Sequence, residues 1–304
     1  MIRFADVSKT YRPLLSRREV RAVDGFSLEV AAGEVLGIAG PNGAGKSTLL
    51  SLALGFLRPT AGQVTINGVT PAAFVRRDGI AYLSELVTIP PWWTVRGALR
   101  RYATLTGVPG PAVAERVEAV MDRLGMDEHR RKQVKQLSKG NLQRLGLAQT
   151  LLSDSPVVIL DEPTHGLDPL WTQRFRDIVG ELRRPDRAVV IASHNLDELE
   201  RLADRVAILD RGRLTRVADG SAEEDGAVAH YRLILVADRE GIQAAFPRAV
   251  RALGDRQVSY DVHGSLAELN EGLARILGSG VQVRAFFPAR SRLEAAFREA
   301  VGEP

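Results

Sequence analysis

The nonapeptide GPNGAGKST, residues 40–48, constrains this chain more than any other stretch. It matches G-x-x-x-x-G-K-[ST] and lies between an apolar run ending in glycine, EVLGIAG (34–40), and a helical stretch over 46–57. That strand–loop–helix context is what the pattern requires. Gly40, Gly43 and Gly45 let successive backbone N–H groups turn inward around phosphate oxygens, with Asn42 and Thr48 in the same loop. The following helix points its positive end at those oxygens. Lys46 is expected to reach the β- and γ-phosphates, and Ser47 to ligate Mg2+.

A second motif completes the chemistry. VVILDEP (157–163) reads as a buried strand delivering Asp161 and Glu162 at its tip. Adjacent acids there are costly unless they serve a cation or a proton. Asp161 fits a Mg2+ contact, and Glu162 is placed to polarise the water that attacks the γ-phosphate. Together the motifs specify a P-loop NTPase, with a nucleoside triphosphate and Mg2+ as its ligands.

The rest of the chain supplies a matching frame. VVIL (157–160), RAVVIAS (187–193) and RVAILD (205–210) are continuous apolar runs, each preceded by a helical segment. Helices between fully buried strands imply a parallel sheet covered on both faces, an α/β core. Over about 84–155 helical periodicity takes over: Val113, Val117, Val120, Met121 and Leu124 share one helix face, with Pro111 in its first turn and Gly125 at its exit. After Gly220 the small, acidic SAEEDGA reads as a linker. HYRLILVA, REGIQAAF, AVRAL, QVSYDV, SLAELNEGLARIL and VQVRAFF then give the order βαββαβ of a ferredoxin-like α+β domain, with a GDR turn inside the hairpin and LEAAFREAV as an extra helix. The expected domains are 1–220, which binds nucleotide, and 221–304, an accessory or regulatory domain.

LSKGN (137–141) with QRLGLAQTLL (143–152), ahead of VVILDEP, resembles the signature motif of ABC ATPases, and the resemblance spans about residues 1–215. It implies a core with a β-subdomain and a helical subdomain. It also implies two nucleotide domains packed head to tail, each signature helix capping the γ-phosphate held by the other. Ser138, Gly140 and Asn141 would then face a partner's ATP. The motif departs from the commonest form, LSGGQ, at Lys139 and Asn141. A lysine there recurs in exporter-like branches, and asparagine keeps the hydrogen-bonding type of glutamine.

Other positions follow from the same resemblance. Tyr11 stands where the family places an aromatic that stacks on adenine; a core tyrosine is the alternative. His194 matches the switch histidine that contacts the γ-phosphate. HGLDP (165–169) matches the loop that crosses the dimer interface, with Asp168 as its key acid. His165 replaces a small or polar residue and reads as exposed, with a place near the opposite active site as the alternative. Glu85, in IAYLSELVTIPPWWTV (80–95), replaces a glutamine that touches Mg2+ and its water. The apolar IPPWW is read equally as a docking surface for a membrane subunit or as core of the helical subdomain.

The resemblance implies an ATPase that powers a separate polytopic permease, works as a pair of identical chains and sits at the cytoplasmic face of the membrane. The ending SRLEAAFREAVG is similar to tails in the branch that exports drugs, antibiotics, lipids and polymers. A soluble ATPase of translation or DNA repair, and an ATPase serving metallo-cofactor maturation, are the alternatives. One cassette and no sustained heptad pattern stand against the translation or repair reading, and no His or Cys cluster supports metal handling. The 304 residues hold no cysteine, and 41 basic against 37 acidic residues is no nucleic-acid signature, so no nucleic-acid partner is expected. The first ten residues lack the apolar core of a signal peptide. The longest apolar run, LLSLALGFL (49–57), is about half the ~20 residues a spanning helix needs.

Overall fold

The computed structural model describes residues 1–12, 19–220, 229–236, 242–251, 258–288 and 292–301. They divide into two compact units, one centred on Met1–Gly220 and the other on Ser221–Glu299. The SAEEDGA linker and the GDR turn lie outside the described residues.

The first unit opens with β1 (Ile2–Tyr11), β2 (Val20–Val30), the wholly buried β3 (Val35–Ala39) and helix α1 (Lys46–Ala53). Strand β4 (Ala61–Ile66), helix α2 (Pro71–Asp78) and the short β5 (Ala81–Leu83) follow. Helices α3 (Val95–Leu105), α4 (Val113–Arg123) and α5 (Lys139–Leu152) come next with no named strand between them. The unit continues through β6 (Val157–Asp161), α6 (Pro169–Leu182), β7 (Ala188–Ala192), α7 (Leu196–Leu202), β8 (Arg205–Asp210) and β9 (Arg213–Asp219).

Two sheets result. The smaller is antiparallel in the order β2-β1-β4. Its inward side chains Ile2, Phe4, Val7 and Phe26 are buried, and the Phe4 and Phe26 rings meet edge to face at 5.3 Å. The larger has the order β5-β6-β7-β3-β8-β9. Its first five strands are parallel, as the buried runs imply. The sixth departs: β9 runs antiparallel to β8 because only Arg211 and Gly212 join them, at φ 47° and 82°. Such a turn makes a hairpin, whereas a parallel return needs a long crossover.

Helix α1 ends at Ala53, four residues short of the expected 57. Gly55 N–H donates to Leu52 O at 3.2 Å and Phe56 N–H to Ser51 O at 3.0 Å, which closes the helix early. Pro111 sits in a 3-10 turn (Gly110–Ala112) just before α4, and not in the α-helix itself. The face formed by Val113, Val117, Val120, Met121 and Leu124 is buried as the spacing requires.

The second unit contains β10 (Ala229–Leu235), α8 (Ile242–Ala245), β11 (Val250–Arg251), β12 (Val258–Gly264), α9 (Leu266–Gly278), β13 (Val283–Pro288) and α10 (Arg292–Val301). The sheet order β11-β12-β10-β13, antiparallel at each pairing, is that of the split βαβ arrangement. Leu233, Leu235, Ile242, Phe246, Val262, Leu269 and Ile276 form its core.

Candidate nucleotide site

A cavity of about 510 Å3 opens at the carboxyl ends of β3 and β6. It is lined by Ala22, the run Pro41–Thr48, Glu85, Asp161, Glu162, His165 and His194. Binding at that edge is the general behaviour of open parallel sheets.

The phosphate loop is held by backbone. Gly45 has φ 106°, and a Cβ there would lie 2.3 Å from Ala22 O, so only glycine fits. Ala44 N–H donates to Pro41 O at 3.1 Å and Gly212 N–H to Ala44 O at 2.9 Å, tying the loop to the β8–β9 turn. The buried Lys46 donates its Nζ to Gly40 O at 2.6 Å, which holds an ammonium against the loop it serves. Asn42, Gly43, Ser47 and Thr48 complete this wall, Ser47 exposed at the start of α1.

Opposite stands a carboxylate cluster. Burial first, then the negative charges of Glu85 and Glu162, push Asp161 up to about 6, against the opposing pull of Lys46. A hard divalent cation would relieve that repulsion, and the oxygens of Ser47, Asp161 and Glu85 are the donor type that Mg2+ takes. Among the described residues no cluster of three or more His, Cys, Asp or Glu forms a cage by itself, and phosphate oxygens are hard donors of the same type. The residues therefore fit Mg2+ bound together with nucleotide.

Glu162 has φ 46°, a left-handed conformation that is strained for a side-chain-bearing residue. Its N–H donates to Ala192 O at 2.8 Å, which fixes it to β7. Its Oε1 accepts the His194 N–H at 3.1 Å, and its Oε2 lies 2.7 Å from His194 Nδ1. A buried carboxylate that can take a proton thus stands beside a ring exposed to the cavity. That pair can accept a proton from water and steer a phosphoryl oxygen.

Several supporting residues escape the sequence reading. Gln143, buried on α5, donates to Pro163 O at 3.0 Å and so ties the signature helix to the strap after Glu162. Glu198, fully buried, accepts the Thr164 hydroxyl at 2.6 Å, and burial raises its pKa. Arg144 stacks on Trp171 at 3.7 Å and donates to Leu124 O and Gly125 O at the end of α4. A buried glutamine or glutamate in a helix is the only signal that points to the first two.

Other expected residues fall outside the cavity lining. Gly40, Ser138, Gly140, Asn141, Asp168 and Tyr11 are absent from it. Ser138 caps α5, accepting the Asn141 N–H at 3.3 Å, and Asn141 Oδ1 accepts from Arg144 at 2.8 Å. Asp168 caps α6 through the Trp171 N–H at 2.9 Å. Tyr11 is 39% exposed, with Lys9 Nζ 5.5 Å from its ring centre. His165 is exposed but lines the cavity of its own chain. Within IPPWW, Trp92 is 68% exposed, while Trp93 is half-buried against Arg101 and Tyr102.

The family described as ABC transporter matches residues 23–165. The methionine import ATP-binding protein MetN of Caulobacter vibrioides is 37% identical over 231 residues, 74% of this chain and 68% of that protein. The Nod factor export ATP-binding protein I of Rhizobium etli is 36% identical over 225 residues, 72% of this chain and 67% of that one. The chain spans about two thirds of the length of such relatives. A solved dimeric bacterial ABC transporter cassette shares the fold, with TM-score 0.67 at 24% identity over 73% of this chain and 100% of its own. With its phosphate loop, acid pair and signature helix arranged on that fold, the chain belongs to the ATP-binding proteins of ABC transporters, the ABC ATPases.

Proposed function

We propose that this chain hydrolyses ATP as one of two identical subunits that drive a separate polytopic permease in export. The observation that carries this reading is the division of labour within one chain. The cavity holds a phosphate loop and a Glu162–His194 pair, while the capped start of α5 lies outside it. A helix start with Ser138, Gly140 and Asn141 exposes N–H donors suited to an anion that its own cavity does not present to it. A second copy, turned head to tail, supplies that anion.

Catalysis in such a pair is positional and electrostatic. The loop N–H groups and Lys46 hold the phosphates, and Tyr11 stacks on adenine. Ser47, Asp161 and Glu85 would hold Mg2+, which when bound neutralises charge on phosphate oxygens. Glu162 polarises the attacking water, and His194 keeps that carboxylate aimed while its ring faces the γ-phosphate. The partner's Ser138, Gly140 and Asn141 cover the far side, and Asp168 borders the same interface.

Among the described residues no helix is long and apolar enough to cross a membrane; the permease of this reading is a separate chain. Exposed Leu86 and Trp92, on the segment that follows Glu85, form the surface on which it docks. Residues 221–304 act as an accessory domain. Export is supported by the likeness to the Nod factor export protein and by the signature lysine, Lys139, set against an equal likeness to a methionine import protein. Purification from native membranes in mild detergent tests the assignment: a stoichiometric polytopic membrane protein is expected. Recovery with ribosomal or DNA-repair proteins and no such partner would overturn it.

A further inference from the structure

Of the four positions that depart from the commonest family pattern, the fold places three, Lys139, His165 and Glu85, in one row. Lys139, in the signature, has its Nζ 2.9 Å from His165 Nε2. The other ring nitrogen, Nδ1, lies 4.0 Å from Glu85 Oε1. An ammonium can only donate, so Nε2 is the acceptor and the proton of the neutral ring sits on Nδ1, facing Glu85. The approach is built into the backbone. The Lys139 stem runs over Gly166, where an added Cβ would meet it at 3.1 Å, and a Cβ on Gly140 would come within 3.0 Å of Gly166 O. Both histidine and glutamate border the chain's own cavity, whereas Lys139 does not.

We propose that His165 is a positioning residue that parks the signature lysine in the isolated subunit, and that pairing around ATP transfers Lys139 from His165 to a phosphate of the partner's nucleotide. The inference rests on the paired arrangement proposed above and adds a device to it. Phosphate oxygens are stronger acceptors for an ammonium than an imidazole nitrogen, so the transfer runs toward the closed pair. His165 then loses its donor, while its other nitrogen still faces Glu85. Each chain's cavity thereby carries a mark of whether its signature has been engaged by the other copy. Parking also costs closure something. The lysine must leave one hydrogen bond to make the next, so the free subunit resists premature pairing.

The test uses the full chain in a Glu162→Gln background and reads two things. The first is the 15N pattern of the His165 ring without nucleotide. The Nδ1–H tautomer is expected, and it should shift toward Nε2–H in Lys139→Gly. The second is the ATP concentration at which half the chains are dimeric by light scattering in Mg2+. His165→Ser should lower that midpoint about fivefold, the size of one exposed charge-assisted hydrogen bond, and should have no effect when Lys139 is already glycine. A generally loosened loop would raise the midpoint and do so in both backgrounds, which would overturn the proposal. An Nε2–H ring in the parent chain that still dimerises overturns the parking contact alone. The expected tautomer with no ATP-dependent dimer overturns the pairing reading and, with it, the transfer of Lys139.

Discussion

Oε2 of Glu162 lies 2.7 Å from Nδ1 of His194, and the same histidine gives its backbone N–H to Oε1 at 3.1 Å. One residue at the end of β7 therefore addresses both oxygens of a carboxylate at the end of β6. The strained backbone at Glu162 is tolerated because Ala192 O holds its N–H. In the proposed mechanism this pairing makes His194 the orienter and Glu162 the proton acceptor.

Glu162→Gln keeps the shape and removes the basic oxygen. Steady-state phosphate release should fall about 10^2- to 10^4-fold, the usual contribution of a positioned base, with ATP binding retained. His194→Ala should lose rate too, since the carboxylate then has neither ring nor aim. A rate within twofold of the parent for Glu162→Gln would remove it from the chemistry.

Asp161 gives a pH signature whose sign can be worked out. Its folded value, about 6, is above the ordinary 3.8, so the fold disfavours the ionised form. That penalty is absent below the ordinary value, grows as pH rises between the two, and is complete above about 6. It amounts to roughly 2–3 kcal/mol. Asp161→Asn should therefore raise the melting temperature of the nucleotide-free protein by roughly 5 °C at pH 8 and leave it unchanged near pH 3. Calorimetry at the two pH values checks this. In Mg-ATP the order should reverse, because asparagine is the poorer metal ligand.

Gly45→Ala adds one methyl group where Ala22 O already stands at 2.3 Å and where φ is 106°. The loop must move to admit it. Titration with a fluorescent ATP analogue should show binding lost, with a stability cost of at least ~1–3 kcal/mol from the strained backbone. Normal affinity in this variant would mean that the loop is not the phosphate cradle.

Ser138→Ala separates two roles of one hydroxyl. Loss of the α5 cap should cost about 1 kcal/mol in urea melts of the single subunit. It should cost further in ATP-dependent pairing, where the proposed arrangement turns the same residue to the partner's phosphate. An equal loss with and without ATP would confine Ser138 to capping.

Much of this was legible in the sequence where local chemistry decides the outcome. The run from Gly40 to Thr48 can form little besides an anion cradle, and the continuous apolar runs within β3, β6 and β7 fit buried strands. The reading stopped where tertiary partners decide. The buried-run criterion passes over β1, β2 and β4, whose alternating faces mark a half-solvated sheet, and the two-residue turn that makes β9 antiparallel is invisible to it. His165 looked like a solvent residue because exposure and cavity lining are compatible for a side chain at a rim. Gln143 and Glu198 offered only a polar residue within a helical stretch, since their partners lie 20 and 34 residues away in the chain.

The central claim is that one copy's cavity is completed by another copy's signature helix. Light scattering of Glu162→Gln in Mg-ATP and in Mg-ADP tests it most directly. A dimer in ATP that reverts to single chains in ADP is the expected result. A chain that stays monomeric in ATP, while binding it, would contradict the account.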